Sequence, residues 1–233
     1  MVPLAALASI GMRFVAGLAA MLLALVPLPA LAAVTMAFWS RDFDGNYFPH
    51  AYFTLRGVPD AGGPAIDANY GFTARSVSPA LLFGNVGGKV EAAKRPYMEG
   101  SHVRFAVVLT DAQYAQVLAL VRGWDQKTGN STYNLGKRNC VHFVREAALI
   151  AGLSADFPKL MKKPGSFLTA VATANPGRVQ MIGMKGRDYL ATLPAIDGVA
   201  PIDVPEGTPG TMPANARKPA QEVSEPGPVP PRR

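Results

Sequence analysis

The chain has 233 residues, 49% of them hydrophobic and 17% charged, and its 23 basic and 16 acidic side chains give a formal net charge of +7. This apolar fraction excludes collagen-like and wholly disordered classes, and the length suits one domain with a sizeable core. The single cysteine, Cys140, excludes an intramolecular disulfide and any Cys-rich metal cluster. His50, His102 and His142 are too far apart for a His-x-His or His-Glu-x-x-His pair, so we expect no metal and no cofactor.

Residues 1–32 have the pattern of a secretory signal peptide. They contain one charge, Arg13, followed by a long apolar run, and Ala30-Leu31-Ala32 offers the small-x-small site that a signal peptidase cleaves. We expect cleavage near Ala32 and export to the periplasm or the cell exterior, with Met12 as an alternative translation start. An uncleaved membrane anchor is the other interpretation, because the run is near the lower length limit for a spanning helix.

The following residues favour an α+β fold. Residues 50–56 and 65–73 are rich in aromatic and β-branched side chains and are separated by turn residues, which predicts a hairpin with a long loop. Residues 103–109 are mostly apolar and predict a strand in the interior of the sheet. A helix follows this strand, because Thr110 and Gln113 can form a capping box ahead of an apolar helical face.

A second helix is predicted over residues 140–151, with Asn139 as its N-cap and Gly152 at its end. Cys140 then lies in the first turn, where unpaired N–H groups and the positive end of the helix dipole lower the thiol pKa and can hold an oxyanion. The alternative is a small buried hydrophobe. An exported protein seldom keeps an unpaired thiol unless it is used, which favours a nucleophile. Ser166 is expected to cap a further short helix.

The C-terminal segment, residues 203–233, differs from the rest in composition. It contains eight prolines and no aromatic residue, so it cannot bury enough apolar surface to offset the entropy of ordering. We expect a disordered, partly polyproline tail. The predicted domain therefore spans residues 33–202.

Among the three histidines, His50 is the favoured base for Cys140. It opens the first predicted strand, where its ring can project over one face of the sheet. His142 lies about 200° around the helix from Cys140, so we expect it to cap the helix or to lie on the surface. His102 is expected in a loop or at a strand edge.

Asn69 and Asp67 are the candidates for orienting the imidazole. They are two residues apart in the second predicted strand and therefore face the same side of the sheet. If Arg56 pairs with Ala65, Asn69 lies opposite Tyr52, and its amide oxygen could accept the imidazole N–H. This favours Asn69 over Asp67 as the third member of a Cys–His–Asn triad.

These residues resemble the circularly permuted branch of the NlpC-type papain-like cysteine hydrolases, which includes the lecithin retinol acyltransferase-like proteins. The resemblance rests on His50-Ala51-Tyr52, on a polar residue in the next strand, and on Asn139-Cys140-Val141-His142-Phe143-Val144 after Tyr133-x-Leu135. It implies a papain-like core in which an antiparallel sheet packs against the helix of the nucleophile, with the His strand before the Cys helix. It also implies that Cys140 is the nucleophile, that His50 is the base, and that Asn69 stands where that branch has a second His or another polar group.

The expected function is that of an exported cysteine hydrolase that cleaves an amide, with a peptidoglycan stem peptide as the first choice of substrate. The alternatives are a lipid or acyl-ester hydrolase or acyltransferase with the same dyad, and a non-catalytic envelope-binding domain. Scattered basic residues without interleaved aromatic residues argue against a nucleic-acid partner. The positive charge is compatible with peripheral association with an anionic envelope, and we expect a monomer.

Overall fold

Strands and helices alternate through residues 33–201 and 203–209, the residues that the computed structural model describes. The predicted signal peptide lies outside these described residues. The strands are β1 (Val34–Arg41), β2 (His50–Gly57), β3 (Ile66–Ala74), β4 (Val86–Ala93), β5 (His102–Leu109), β6 (Thr132–Tyr133), β7 (Gln180–Lys185) and β8 (Glu206–Gly207). The α-helices are α1 (Ala80–Phe83), α2 (Arg95–Glu99), α3 (Asp111–Trp124), α4 (Cys140–Ile150), α5 (Pro164–Ala174) and α6 (Gly186–Thr192), and a 3-10 turn spans Pro158–Leu160.

The strands form one sheet in the order β6-β4-β3-β2-β1-β5-β7, and β8 pairs with β4. Neighbouring strands are antiparallel, except that β8 runs parallel to β4. The sequence patterns did not single out β1, which lies between β2 and β5. Its side chains are buried on both faces of the sheet, so it reads as a nearly continuous apolar run without clear alternation.

Helices cover both faces of this sheet. On one face α3, α4 and α5 enclose the main core, in which the Phe143 ring of α4 stacks on Phe53 at 5.3 Å and lies 6.3 Å from Phe72. On the other face a smaller cluster forms around Trp39 and Tyr97, with α2 and α6 packed against it. This arrangement confirms the predicted α+β class.

Strands β2 and β3 pair over only part of their length. Their register runs from Gly57 opposite Ile66 to Phe53 opposite Tyr70, and from Gly71 onward β3 pairs with β4 alone. The first residues of β2 and the last residues of β3 are therefore not joined by a ladder. This gap between two strands that are otherwise neighbours in the sheet is where the candidate site lies.

The predicted register of the hairpin is wrong by two residues. Arg56 lies opposite Asp67, whereas Ala65 bridges to Val199 from a distant part of the chain. The long loop takes up the extra residues, and a local pattern does not reveal this partner for Ala65. A slip of two residues preserves the face of the sheet, so Asn69 still shares a face with the even-numbered residues of β2.

The starts of α3 and α4 follow the predicted caps. Thr110 and Gln113 form the capping box of α3, and Asn139 caps α4. Gly152 follows α4 with φ of +77°, a conformation that favours glycine. None of the helices in the described part of the chain is long and apolar enough to cross a membrane.

Two other boundaries differ from the predictions. Helix α5 begins at Pro164 with Lys163 at the N-cap position, so Ser166 lies inside the first turn and does not cap the helix. Proline starts a helix readily, because its missing N–H would have no partner there. Strand β8 lies within the segment predicted to be disordered from residue 203, so the ordered chain extends further than the composition indicated.

Candidate active site

A cavity of about 510 Å³ opens at the gap between β2 and β3. Cys140 and His50 both line it, together with Tyr133 and with Thr73, Ser78 and Lys162. The remaining lining is mainly apolar and includes Phe48, Val77, Pro79, Leu81, Leu82 and Leu135. The structure therefore places the predicted nucleophile and the predicted base in one cavity.

Asn139 fixes the start of α4. Its side-chain oxygen accepts the N–H groups of Val141 at 2.8 Å and His142 at 3.2 Å. Its side-chain nitrogen donates to the carbonyls of Leu135 and Met161, both at 2.8 Å. One buried side chain thus ties the first turn of the helix to the loops before and after it.

His142 completes this cap, as predicted. Its Nδ1 accepts the N–H of Asn139 at 3.3 Å. The N–H of Phe143 donates to the Asn139 carbonyl. The Cys140 N–H lies in the same first turn, beside the Cys140 sulfur, where it can hold an oxyanion formed next to that sulfur.

The Cys140 thiol is buried, and burial raises its pKa from 9.0 to about 11. The backbone N–H groups of Ala51, Val141 and Cys140 itself lower the pKa, as expected at a helix start. The cost of burying a thiolate outweighs them. The prediction of a lowered pKa is therefore wrong, and Cys140 is a neutral thiol at pH 7.

His50 is buried at the first position of β2. Its ring stacks on Tyr52 with the centroids 6.0 Å apart and makes an edge contact with Tyr97 at 6.5 Å. Burial lowers its pKa from 6.5 to about 3, so the imidazole is neutral. Its Nε2 atom is buried without a hydrogen-bond partner among the described residues. Cys140 and His50 thus line the cavity as two neutral groups.

The structure does not bring Asn69 or Asp67 to the imidazole. The Asn69 oxygen accepts the N–H of Ala93, and its nitrogen donates to the Ala93 carbonyl at 3.2 Å. This amide therefore pairs with the backbone of β4. Asp67 is half exposed and forms an ion pair with Arg56 at 3.3 Å. The predicted Cys–His–Asn triad is not assembled.

Gly71 lies close to the His50 ring. A β-carbon at this position would be 2.6 Å from His50 Nε2 and 3.1 Å from the Tyr52 β-carbon. The imidazole therefore needs a glycine here. A glycine inside a predicted strand often marks such a close approach, and this is the signal that could have identified Gly71.

Two cavity residues were missed by the sequence analysis. Thr73 is two residues from Gly71 on the same face of β3, and Lys162 supplies the charge among the described lining residues. Neither belongs to a motif, because distant segments bring them to the cavity. Among the residues described, no group of His, Cys, Asp and Glu could hold a metal ion.

No protein-family model matches the chain, and comparisons with curated proteins and with solved structures give no match.

Proposed function

We propose that the protein is an exported cysteine hydrolase with a permuted papain-like arrangement, in which Cys140 is the nucleophile and His50 is the base. The observation that carries the proposal is that both residues line one cavity. Cys140 begins a helix packed on an antiparallel sheet, and His50 begins an earlier strand of that sheet. This order, His strand before Cys helix, is the one that the sequence resemblance implies.

The reaction starts from the neutral pair. The Cys140 sulfur attacks a carbonyl carbon while its proton passes to His50, and the oxyanion that forms accepts the Cys140 N–H. The tetrahedral adduct collapses, and the leaving group takes the proton from His50 and departs. Water then attacks the thioester as His50 removes its proton. The carboxylic acid leaves, and the proton returns to the Cys140 sulfur.

The cavity lining favours a substrate with an apolar acyl group. Lys162 is the charged lining residue, and no acidic side chain occurs among the described lining residues. A stem peptide carries several carboxylate and amide groups, and burying these groups without partners is costly. We therefore rank an acyl ester or thioester above the peptide amide. Amide cleavage remains the second candidate, because Lys162 can pair with a carboxylate of a peptide.

Purified protein incubated with short and medium acyl esters and with peptidoglycan fragments tests this ranking by mass spectrometry. We expect hydrolysis of the esters and a transient acyl adduct on Cys140. Cys140→Ala should abolish turnover, and His50→Ala should reduce it by about 100-fold or more. Cleavage of the fragments without ester cleavage would reverse the ranking.

A non-catalytic binding domain is the competing function, and the raised pKa of the Cys140 thiol is the observation that favours it. Reaction with a thiol-directed electrophile at pH 7 separates the two functions. A catalytic pair predicts rapid labelling of the wild type and slow labelling of His50→Ala, because the imidazole removes the thiol proton. Equal labelling of both proteins, with no turnover of any substrate, would contradict the catalytic proposal.

A further inference from the structure

Helix α1 presents two large apolar side chains to solvent beside the cavity. Leu82 is 70% exposed and Phe83 is 86% exposed. Leu81 and Leu82 also line the cavity, so the apolar lining continues onto the outer surface of α1. Exposed apolar surface that is continuous with a cavity commonly marks an interaction site.

The segments around the cavity mouth are basic. Residues 71–90, 126–144 and 157–163 each contribute lining residues and together contain eight Lys and Arg. The acidic residues that flank these segments are Glu91, Asp125, Glu146 and Asp156, of which Glu91 is paired with Lys89 and Asp156 with Arg145. Lys137, Lys162 and Lys163 are exposed among these basic residues. The loop before β2 also reaches the cavity and does contain acidic residues, of which Asp44 is paired with Arg41 at 2.6 Å.

Contacts join α1 and the lysines into one surface. The Asn134 side-chain nitrogen donates to the Asn85 side-chain oxygen at 2.8 Å, which ties the loop after α1 to the turn before α4. Lys162 Nζ lies 3.9 Å from where a β-carbon would stand at Gly136 in that turn. Leu82 and Lys162 line the same cavity, and Lys137 and Lys163 adjoin Gly136 and Lys162 in the chain, so the exposed apolar side chains and these lysines lie around one cavity mouth.

We propose that this surface, made of Leu82, Phe83, Lys137, Lys162 and Lys163, docks on an anionic lipid bilayer. Leu82 and Phe83 enter the headgroup region, and the lysines bind lipid phosphates. An anionic glycan could form ion pairs with the lysines but would leave the side chains of Leu82 and Phe83 in water. A second copy of the chain would bring two basic surfaces together. Under the proposed hydrolase function, on which this last step rests, docking delivers the acyl group of a membrane lipid to the cavity mouth.

Fluorescence of a single introduced tryptophan tests the contact in the full chain. Phe83→Trp reports on α1, and Met181→Trp is the matched control, because Met181 is 65% exposed on β7 at the far end of the sheet from β4. Trp39 and Trp124 are buried, and their signal in the wild type is subtracted. The vesicles contain phosphatidylglycerol and phosphatidylcholine, with a quencher attached to the acyl chains.

We expect a blue shift and quenching at position 83 and neither effect at position 181. Adding Lys137→Glu and Lys163→Glu to Phe83→Trp should reduce the quenching several-fold. Raising the salt from about 0.1 M to about 0.5 M should also reduce it, because salt screens the lysines. Vesicles of phosphatidylcholine alone should give less quenching at position 83.

Equal quenching at both positions would overturn the proposal, since membrane attachment through another segment would then explain the binding. No quenching at position 83 would also overturn the proposal. A concentration-dependent dimer whose interface contains Phe83 would show that a second copy of the chain, and not a bilayer, binds this surface. Adding Cys140→Ala to Phe83→Trp should leave the quenching unchanged. This variant separates failure of docking from failure of the hydrolase proposal, because docking does not need the thiol.

Discussion

The two sides of the cavity are built in opposite ways. The helix side, with Asn139 and Cys140, is buried, and the side-chain oxygen and nitrogen of Asn139 are both hydrogen-bonded. The α1 side has no buried residue in the helix and exposes Leu82 and Phe83. A reacting group must be held within a fraction of an ångström, whereas an apolar partner needs accessible surface. Substitutions on the helix side should therefore change stability and reaction rate, whereas substitutions on the α1 side should change the binding of an apolar partner.

The largest expected effect is that of acid on the buried His50, which lies between the two sides. Its folded pKa of about 3 lies below the unfolded value of 6.5, so only the unfolded chain takes up the proton between these values. The stability contributed by the neutral imidazole is complete above pH 6.5 and is lost as the pH falls, by as much as about 4 kcal/mol near pH 3. Urea unfolding at pH 7 and pH 4 measures this loss.

His50→Gln removes the titrating group and is the matched variant for this measurement. We expect its free energy of unfolding to fall less between pH 7 and pH 4 than that of the wild type, by about 2 to 3 kcal/mol. His102 and His142 are present in both proteins, so their contributions cancel. The same pH dependence in both proteins would contradict a buried, neutral His50.

Asn139→Ala should produce the next largest effect on the helix side. The substitution removes the N-cap and leaves the carbonyls of Leu135 and Met161 without their donor, so we expect a loss of about 2 to 4 kcal/mol in chemical unfolding. Asn130→Ala is the control, because Asn130 is exposed and its side chain accepts a single N–H, from Thr132. A similar cost in both variants would show that the network around Asn139 adds little.

Gly71→Ala should act between the two sides, on the position of His50. The new β-carbon would displace the imidazole, so we expect a stability cost of about 1 to 3 kcal/mol and a fall in kcat/KM of about tenfold or more. In the control, Gly87→Ala, the added carbon would meet the Arg75 side chain at an ordinary 3.4 Å. Wild-type activity in Gly71→Ala would mean that the ring can move without consequence.

The helix side is the part of the site that the sequence predicted correctly. Asn139 caps α4, Cys140 lies in the first turn, and His142 accepts a hydrogen bond within the cap. All of these contacts join residues no more than three positions apart. Residue type and spacing are sufficient to predict such local hydrogen bonds.

The wrong predictions depend on contacts between distant residues. Asn69 bonds to Ala93, 24 positions away, because β4 is its neighbour in the sheet. The thiol pKa rises because tertiary packing buries Cys140, although the local helix start lowers it. The pairing of β2 with β3 depends on how a long loop is accommodated. No period or motif in the sequence carries this information.

The smallest expected effect on stability lies on the α1 side, where two adjacent leucines provide a matched pair. Leu81 is partly buried against the main core, whereas Leu82 is mostly exposed, and both line the cavity. Leu81→Ala should cost about 1 to 2 kcal/mol, and Leu82→Ala about 0.5 kcal/mol or less, because little of its apolar surface leaves water on folding. Urea unfolding of the two variants gives this difference.

If the lining binds an acyl chain, both variants should raise KM for a medium-chain ester relative to a two-carbon ester. A change in chain-length preference in Leu82→Ala without a change in stability would show that the α1 side contributes to recognition independently of folding. No change in either quantity would exclude Leu82 from the acyl site.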